Sequence, residues 1–220
     1  MNTRIRSFRP GLRILVQILA VLLLIVATSI GAKAAWIGAK AVVAQVLLEH
    51  AWRETVAFSH DTGKSKPVAR SYKPWPWADI TPVLRLEAPV QKRSLIVLDD
   101  ASGESLAFGP GLVAGDPDVA EHSTIVLGGH RDTHLSFLEH VGAGEEIRLA
   151  TQTGKTLRYT TTRSRIVDTR KDSIAIDSDV AALVLITCWP FNAEQTGGPF
   201  RYVVEALPVD TRPFSDVDIS

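Results

Sequence analysis

One thiol, six imidazoles and an arginine at the head of an apolar segment are the groups in this chain suited to covalent catalysis. Cys188 closes the apolar run LVLIT, and Pro190 stands two residues on. A proline nitrogen has no hydrogen to donate, so a strand is expected to end at the thiol and leave it near a rim. The glycine-bearing stretch FNAEQTGGPF then leads to Arg201, which opens the next apolar segment, RYVVEA. A thiol at a strand end, facing an arginine from the neighbouring strand, has the surroundings of a reactive cysteine. Taken by position alone, an unpaired Cys is equally well a small buried apolar residue, and Arg201 a charge that guards a sheet edge.

A thiol nucleophile also needs a base or cationic partner. His50 falls in an expected helix, His60 in a proline-rich linker, His122 in a polar loop and His140 in a short water-facing helix. His130 differs, because it follows the apolar run STIVLGG, whose two glycines allow close approach of backbone or ligand. His134, four residues on, is the second candidate or a neighbour of the first. Asp132 is placed to orient an imidazole, although a carboxylate in a turn is the simpler reading.

Strands must carry these groups. Short runs rich in Val, Ile, Leu and Thr lie at Val83–Ala88, Leu95–Leu98, Thr124–Gly129, Glu146–Thr151, Leu157–Thr161, Ser164–Val167, Leu183–Cys188 and Arg201–Ala206. Turn-forming Gly, Pro, Asp or Ser groups separate them. Helix is scarce there, with single turns expected around Val119–Glu121 and Leu135–His140. Seven or eight strands at short spacing predict an all-β sandwich or closed barrel rather than βαβ units.

The N-terminal part is of another kind. Ile14 to Ala32 carries no charge, and about 20 apolar residues at ~1.5 Å each cross a hydrocarbon core of roughly 30 Å. Arg4, Arg6, Arg9 and Arg13 precede the run, which predicts a cytoplasmic N-terminus, one membrane pass as an anchor and a body on the outer side. A cleaved signal peptide is the rival reading, with Ala32-Lys33-Ala34 as its small-residue site. The run is longer than the usual signal core of about 7–15 residues, and helical spacing continues beyond it through Trp36, Val43, Leu47 and Ala51. Pro67, Pro74, Pro76 and Pro82 then break any helix. Trp75 and Trp77 belong either at the membrane interface or against the body. The expected division is a basic tail 1–13, an anchor 14–32, a juxtamembrane helix 33–58, a linker 59–80, a barrel 81–208 and a C-terminal tail 209–220.

Charge and cysteine count exclude whole classes. Residues 1–48 hold six basic side chains and no acidic one, so the rest carries 18 basic against 24 acidic groups. An acidic body without a basic patch does not suit a phosphate backbone, and no nucleic-acid partner is expected. A single Cys forms no internal disulfide and no multi-cysteine zinc site.

The segments GGHRDTHLSFL, LVLITCWPF and GGPFRYVVEA resemble the three catalytic segments of sortases. The basic N-terminus, the membrane segment, the KPWPWAD stretch and the expected barrel resemble in particular the proteobacterial class GN sortases. The resemblance implies Cys188 as nucleophile, His130 as acid/base partner and Arg201 as the third essential group. Thr187 matches the threonine before the nucleophile, and His134 stays a secondary candidate. It implies a sortase-type closed β-barrel and a cysteine transpeptidase. Such an enzyme cuts an LPXTG-like C-terminal sorting signal through a Cys thioester and passes the acyl group to an amine. One dedicated protein substrate is expected, with the amine acceptor open. Trp189-Pro190 departs from the Gram-positive pattern after Cys, which leaves sequence preference open.

Some sortases share a calcium ion between acidic loops. Asp116, Asp118 and Glu121, and Asp172, Asp177 and Asp179, follow no calcium-loop spacing and are read as solvated surface, with no cofactor required. Two other readings stand beside the transpeptidase: a non-catalytic β-barrel presented on a membrane stalk for protein binding, and a thiol hydrolase on the same scaffold.

Overall fold

The computed structural model describes residues 10–61, 72–174, 180–193 and 197–209. Residues 1–9 of the basic tail, 62–71 of the linker, Asp177, Asp179 and nearly all of the C-terminal tail lie outside the described residues. Contacts divide the chain into two units, residues 1–44 and 45–220.

Pro10, whose missing N–H costs nothing in a first helical turn, opens helix α1 (Pro10–Asp61). Within the first unit, Ile14–Lys33 is apolar, fully exposed and 20 residues long, enough to cross a bilayer. Within the second, the helix is more than a stalk. Leu48, Ala51, Trp52 and Thr55 are buried there and Leu47 is half-buried, whereas Trp36 and Val43, in the first unit, are exposed. Ala51 is thus buried as expected, but the rest of the stripe runs through Leu48, Trp52 and Thr55, because Trp52 carries the packing. It joins Leu48, Ala78, Ile80, Ile96 and Leu98 in a cluster on the barrel wall. Glu49 reinforces it, with both carboxylate oxygens accepting from Arg85 Nη2 at 2.7 and 2.8 Å. The helix runs to Asp61, three residues past its expected end. Of the linker tryptophans, Trp75 packs edge-on against Phe108 at 5.3 Å between ring centres, and Trp77 is 80% exposed.

Eight strands close into a barrel in the order β1-β2-β3-β4-β7-β8-β6-β5. They are β1 (Pro82–Ala88), β2 (Arg93–Leu98), β3 (Gly111–Ala114), β4 (Thr124–Gly128), β5 (Glu146–Thr151), β6 (Thr156–Asp168), β7 (Ala182–Cys188) and β8 (Phe200–Pro208). Side chains alternate between faces, as in the strict buried and half-buried pattern of β1. The inward set, including Leu84, Leu86, Ile125, Leu127, Leu149, Leu183, Leu185 and Val204, forms the core.

Two expectations need correction. Strand β3 was not expected, since GLVA is too short to show alternation between Pro110 and Gly115. Leu157–Thr161 and Ser164–Val167 are one strand, β6, with an irregularity between Thr161 and Arg163. Its polar middle reads as a turn, yet Arg163 and Arg165 point outward and both bond Glu205 on β8. The expected helical turns are short 3-10 segments at Pro117–Val119 and Ser136–His140, with a third at Ser105–Ala107.

Candidate active site

The barrel topology brings the ends of β4, β7 and β8 to one place. β4 and β7 run parallel, with Gly128 level with Ile186. Two residues further along each chain stand His130 and Cys188. β8 runs antiparallel to β7 and sets Arg201 opposite Cys188. Thr187, 2% exposed, fastens this end: its Oγ1 donates to the Gly129 carbonyl at 2.8 Å, and the Gly129 N–H donates to Ile186 O at 3.2 Å.

Alternation decides which way the thiol faces. Leu183, Leu185 and Thr187 point inward, so Val184, Ile186 and Cys188 share the outer face. Arg201 shares that face through Val203. Cys188 is partly exposed and lies outside the sealed core. The outer face is itself apolar, because Val126, Val167, Val184 and Val203 cluster there beneath Ile174 of the β6–β7 connection. At its far end a cleft of about 420 Å³ is lined by Thr124, Ile174, Val180, Ala182, Val184 and Glu205, among others.

His130 is exposed, and among the described residues nothing hydrogen-bonds its ring. Its backbone places it. Gly129 leaves no room for a side chain, since a Cβ there would lie 2.8 Å from Leu135 Cγ, and the Leu135 N–H donates to the His130 carbonyl at 3.0 Å. His134 is half-buried, and burial lowers its pKa against the opposing effect of the Ala107 carbonyl beside the ring. It therefore favours the neutral form and sits in the same turn as His130 without matching its exposure. Asp132 is exposed and orients neither imidazole by a hydrogen bond among the described residues.

Arg201 is half-buried, and its Nη1 donates to the carbonyls of Gly198 (2.7 Å) and Phe200 (3.0 Å). Gly197 and Gly198 take φ of +92° and +94°, the left-handed region that glycine enters freely, and so turn the chain back into β8. The other end of this loop folds onto the barrel mouth. Trp189 stacks on Tyr202 at 5.7 Å, and Phe191 meets both rings edge-on.

Sequence reasoning missed Arg131. It is 6% exposed, and its Nη2 donates to the Ala193 carbonyl at 3.0 Å, joining the His130 turn to the loop after Cys188. No local pattern announces a contact made across 62 residues.

Among the described residues no three His, Cys, Asp or Glu side chains converge as a metal site. The Asp116 side chain accepts from the Asp118 N–H at 2.9 Å, and Glu121 pairs with Lys155. Asp116 and Glu121 are thus engaged locally.

A family model described as a sortase domain matches residues 86–209, more than half of the chain. Sortase D of Bacillus subtilis (strain 168) is 29% identical over 120 residues, covering 54% of this chain. The match spans 60% of that relative's length. Among solved structures, sortase A from Listeria monocytogenes superposes with a TM-score of 0.51 at 22% identity, over 58% of this chain and 87% of that one. Sortase A from Corynebacterium diphtheriae gives a TM-score of 0.51 at 22% identity, over 79% and 87% respectively. At such identities the structures show a shared fold.

Proposed function

This chain belongs to the sortase family of cysteine transpeptidases, and on that footing we propose that it cleaves a C-terminal sorting signal through a Cys188 thioester and transfers the acyl group to an amine. The observation that carries the reading is the convergence of one outward-facing thiol, one exposed imidazole and one arginine at the ends of β7, β4 and β8. The chemistry uses each of them. The Cys188 thiolate attacks the threonine carbonyl carbon of an LPXTG-like motif and forms a tetrahedral oxyanion. That intermediate collapses as the C–N bond breaks, with the His130 imidazolium giving its proton to the departing glycine amine. The acceptor amine then attacks the thioester, neutral His130 takes the proton, and the C–S bond breaks to return the thiolate. Arg201, always charged, acts as the oxyanion donor or holds the substrate carbonyls. Among the described residues its hydrogen bonds use Nη1, so Nε and Nη2 are the proposed donors. No cofactor takes part.

The acyl donor is proposed to lie extended along β7 on the outer face. With its threonine at Cys188, the motif leucine falls about 10 Å away, three residues at ~3.3 Å each. That reaches the apolar surface around Val184 that continues into the cleft. We further assign the chain to the class GN type, with Ile14–Lys33 as an uncleaved inner-membrane anchor, a cytoplasmic N-terminus and a periplasmic barrel. A single dedicated protein is the proposed substrate.

The test is cleavage of a labelled sorting peptide by the full chain in detergent, before and after a methanethiosulfonate reagent. Cys188 is the only thiol, so the reagent reads that residue alone. Cleavage that the reagent abolishes supports the enzyme; no cleavage, or cleavage that survives, overturns it in favour of a binding domain. Adding an amine separates the transpeptidase, which yields ligated product, from a hydrolase, which yields only acid.

A further inference from the structure

We propose that Arg131 is the positioning residue that holds the His130 turn in register with the loop following Cys188, an inference that rests on the reading of the site given above. Three observations lead to it. The first is burial: a guanidinium loses much hydration at 6% exposure, so arginine reaches such positions only where it is held by partners. The second is what Arg131 holds. Its Nη2 meets Ala193 O at 3.0 Å, and the Ala193 N–H in turn donates to Pro190 O at 3.3 Å. The guanidinium therefore grips a closed turn that begins two residues after Cys188. Phe191 in that turn packs against the barrel core together with Tyr202, so the turn is a firm anchor.

The third is what His130 lacks. A catalytic imidazole is usually oriented by a third group bonded to its other nitrogen. Here the ring is exposed, no described residue hydrogen-bonds it, and Asp132 takes no such part. Orientation has to come through the backbone, and the residue next to His130 carries the tie to the Cys188 side. Arg131 touches no reacting atom in this scheme. It sets the distance and angle at which His130 meets the thiol and the acceptor amine, and a displacement of about 1 Å is enough to cost ~10²-fold in rate.

Two measurements on the full chain in detergent test this. The first is the pH profile of Cys188 alkylation by iodoacetamide, which needs no sorting substrate. The wild type is expected to show a limb that His130→Ala removes, and Arg131→Met is expected to remove the same limb. The second is peptide cleavage, where Arg131→Met should lower kcat by about 10- to 100-fold with KM within about threefold. Arg131→Lys keeps one donor and the charge, and is expected to recover at least about a third of wild-type kcat; it also serves if the Met variant does not fold. A folded variant with the wild-type alkylation profile overturns the inference. So does a loss that lysine does not relieve and that follows the melting temperature. Absence of any His130-dependent limb in the wild type would instead overturn the catalytic reading itself.

Discussion

Cys188 and Arg201 face each other across the antiparallel β7–β8 pair. The Trp189 N–H donates to Phe200 O at 3.1 Å, which makes the next pair inward a non-hydrogen-bonded one, with Cα atoms about 4.5 Å apart and side chains at their closest. The guanidinium is meanwhile steadied from behind by the carbonyls of Gly198 and Phe200. An arginine thus stands opposite the thiol, and among the described residues no carboxylate pairs with it.

That arrangement predicts a difference between two substitutions of Arg201. Arg201→Ala removes the donor and should lower kcat by roughly 10²–10³-fold with little change in melting temperature. Arg201→Lys keeps the charge, but one ammonium cannot reproduce the planar fork, so it should recover only a minor part of the rate. Steady-state cleavage of a sorting peptide, with melting curves alongside, measures both. Equal activity of the Lys variant and wild type would show that charge alone suffices.

The two imidazoles of the 130–134 turn should separate as cleanly. His130→Gln removes the exposed base and should abolish turnover. His134→Gln should leave at least about a third of it, because His134 is half-buried, burial lowers its pKa, and it lies four residues further from the β4 end than the exposed His130. NMR titration adds a second reading, in which His134 protonates below the usual value near 6.5. Loss of turnover in both variants would return His134 to the catalytic group.

Thr187 should act on geometry and stability together. Its hydroxyl bonds the Gly129 carbonyl where β4 and β7 end, so Thr187→Val leaves a partly buried acceptor without its donor at an expected cost of about 1 kcal/mol. The same bond sets the spacing between the two strand ends that lead to Cys188 and His130. Thr187→Ser, which keeps the hydroxyl, should restore activity ahead of stability. Denaturant unfolding and peptide cleavage, measured on both variants, distinguish the two contributions.

Much of this was legible in residue order, and the reasons are local. Strands β1, β4, β5, β7 and β8 are short apolar runs closed by turn formers, and Pro190 marks the end of β7 within two residues of the thiol. Glycines before His130 and Arg201 signal where the backbone must approach a neighbour or take a positive φ. Long-range pairing was hidden. β3 exists because Gly111 and Leu112 find Gly128 and Leu127, and β6 runs unbroken because Glu205 neutralises two outward arginines. The buried stripe of α1 was displaced by one residue for the same reason, since only the barrel wall shows that Trp52 is the anchor. Arg131 belongs with these: its partner is a backbone carbonyl, which no side-chain pattern records.

Tyr159 makes the fold's stability depend on pH in the alkaline range. Its ring is 1% exposed inside the barrel, and the phenol donates to Ala120 O at 3.1 Å. Burial first, and the nearby Glu121 charge second, push its pKa up to about 12, whereas an unfolded tyrosine titrates near 10. The folded state therefore keeps a proton that the unfolded state gives up. Stability contributed by the neutral phenol is fully present below about pH 10 and is lost as the pH rises from there toward 12. Tyr159→Phe should flatten that limb of the melting profile. It should also cost about 1 kcal/mol at neutral pH, because Ala120 loses its donor. Other groups titrate in the same range, so the comparison is the difference between variant and wild type at each pH. A constant difference across pH 9–12 would mean that the phenol ionises equally in both states, and that the barrel interior at Tyr159 is open to water.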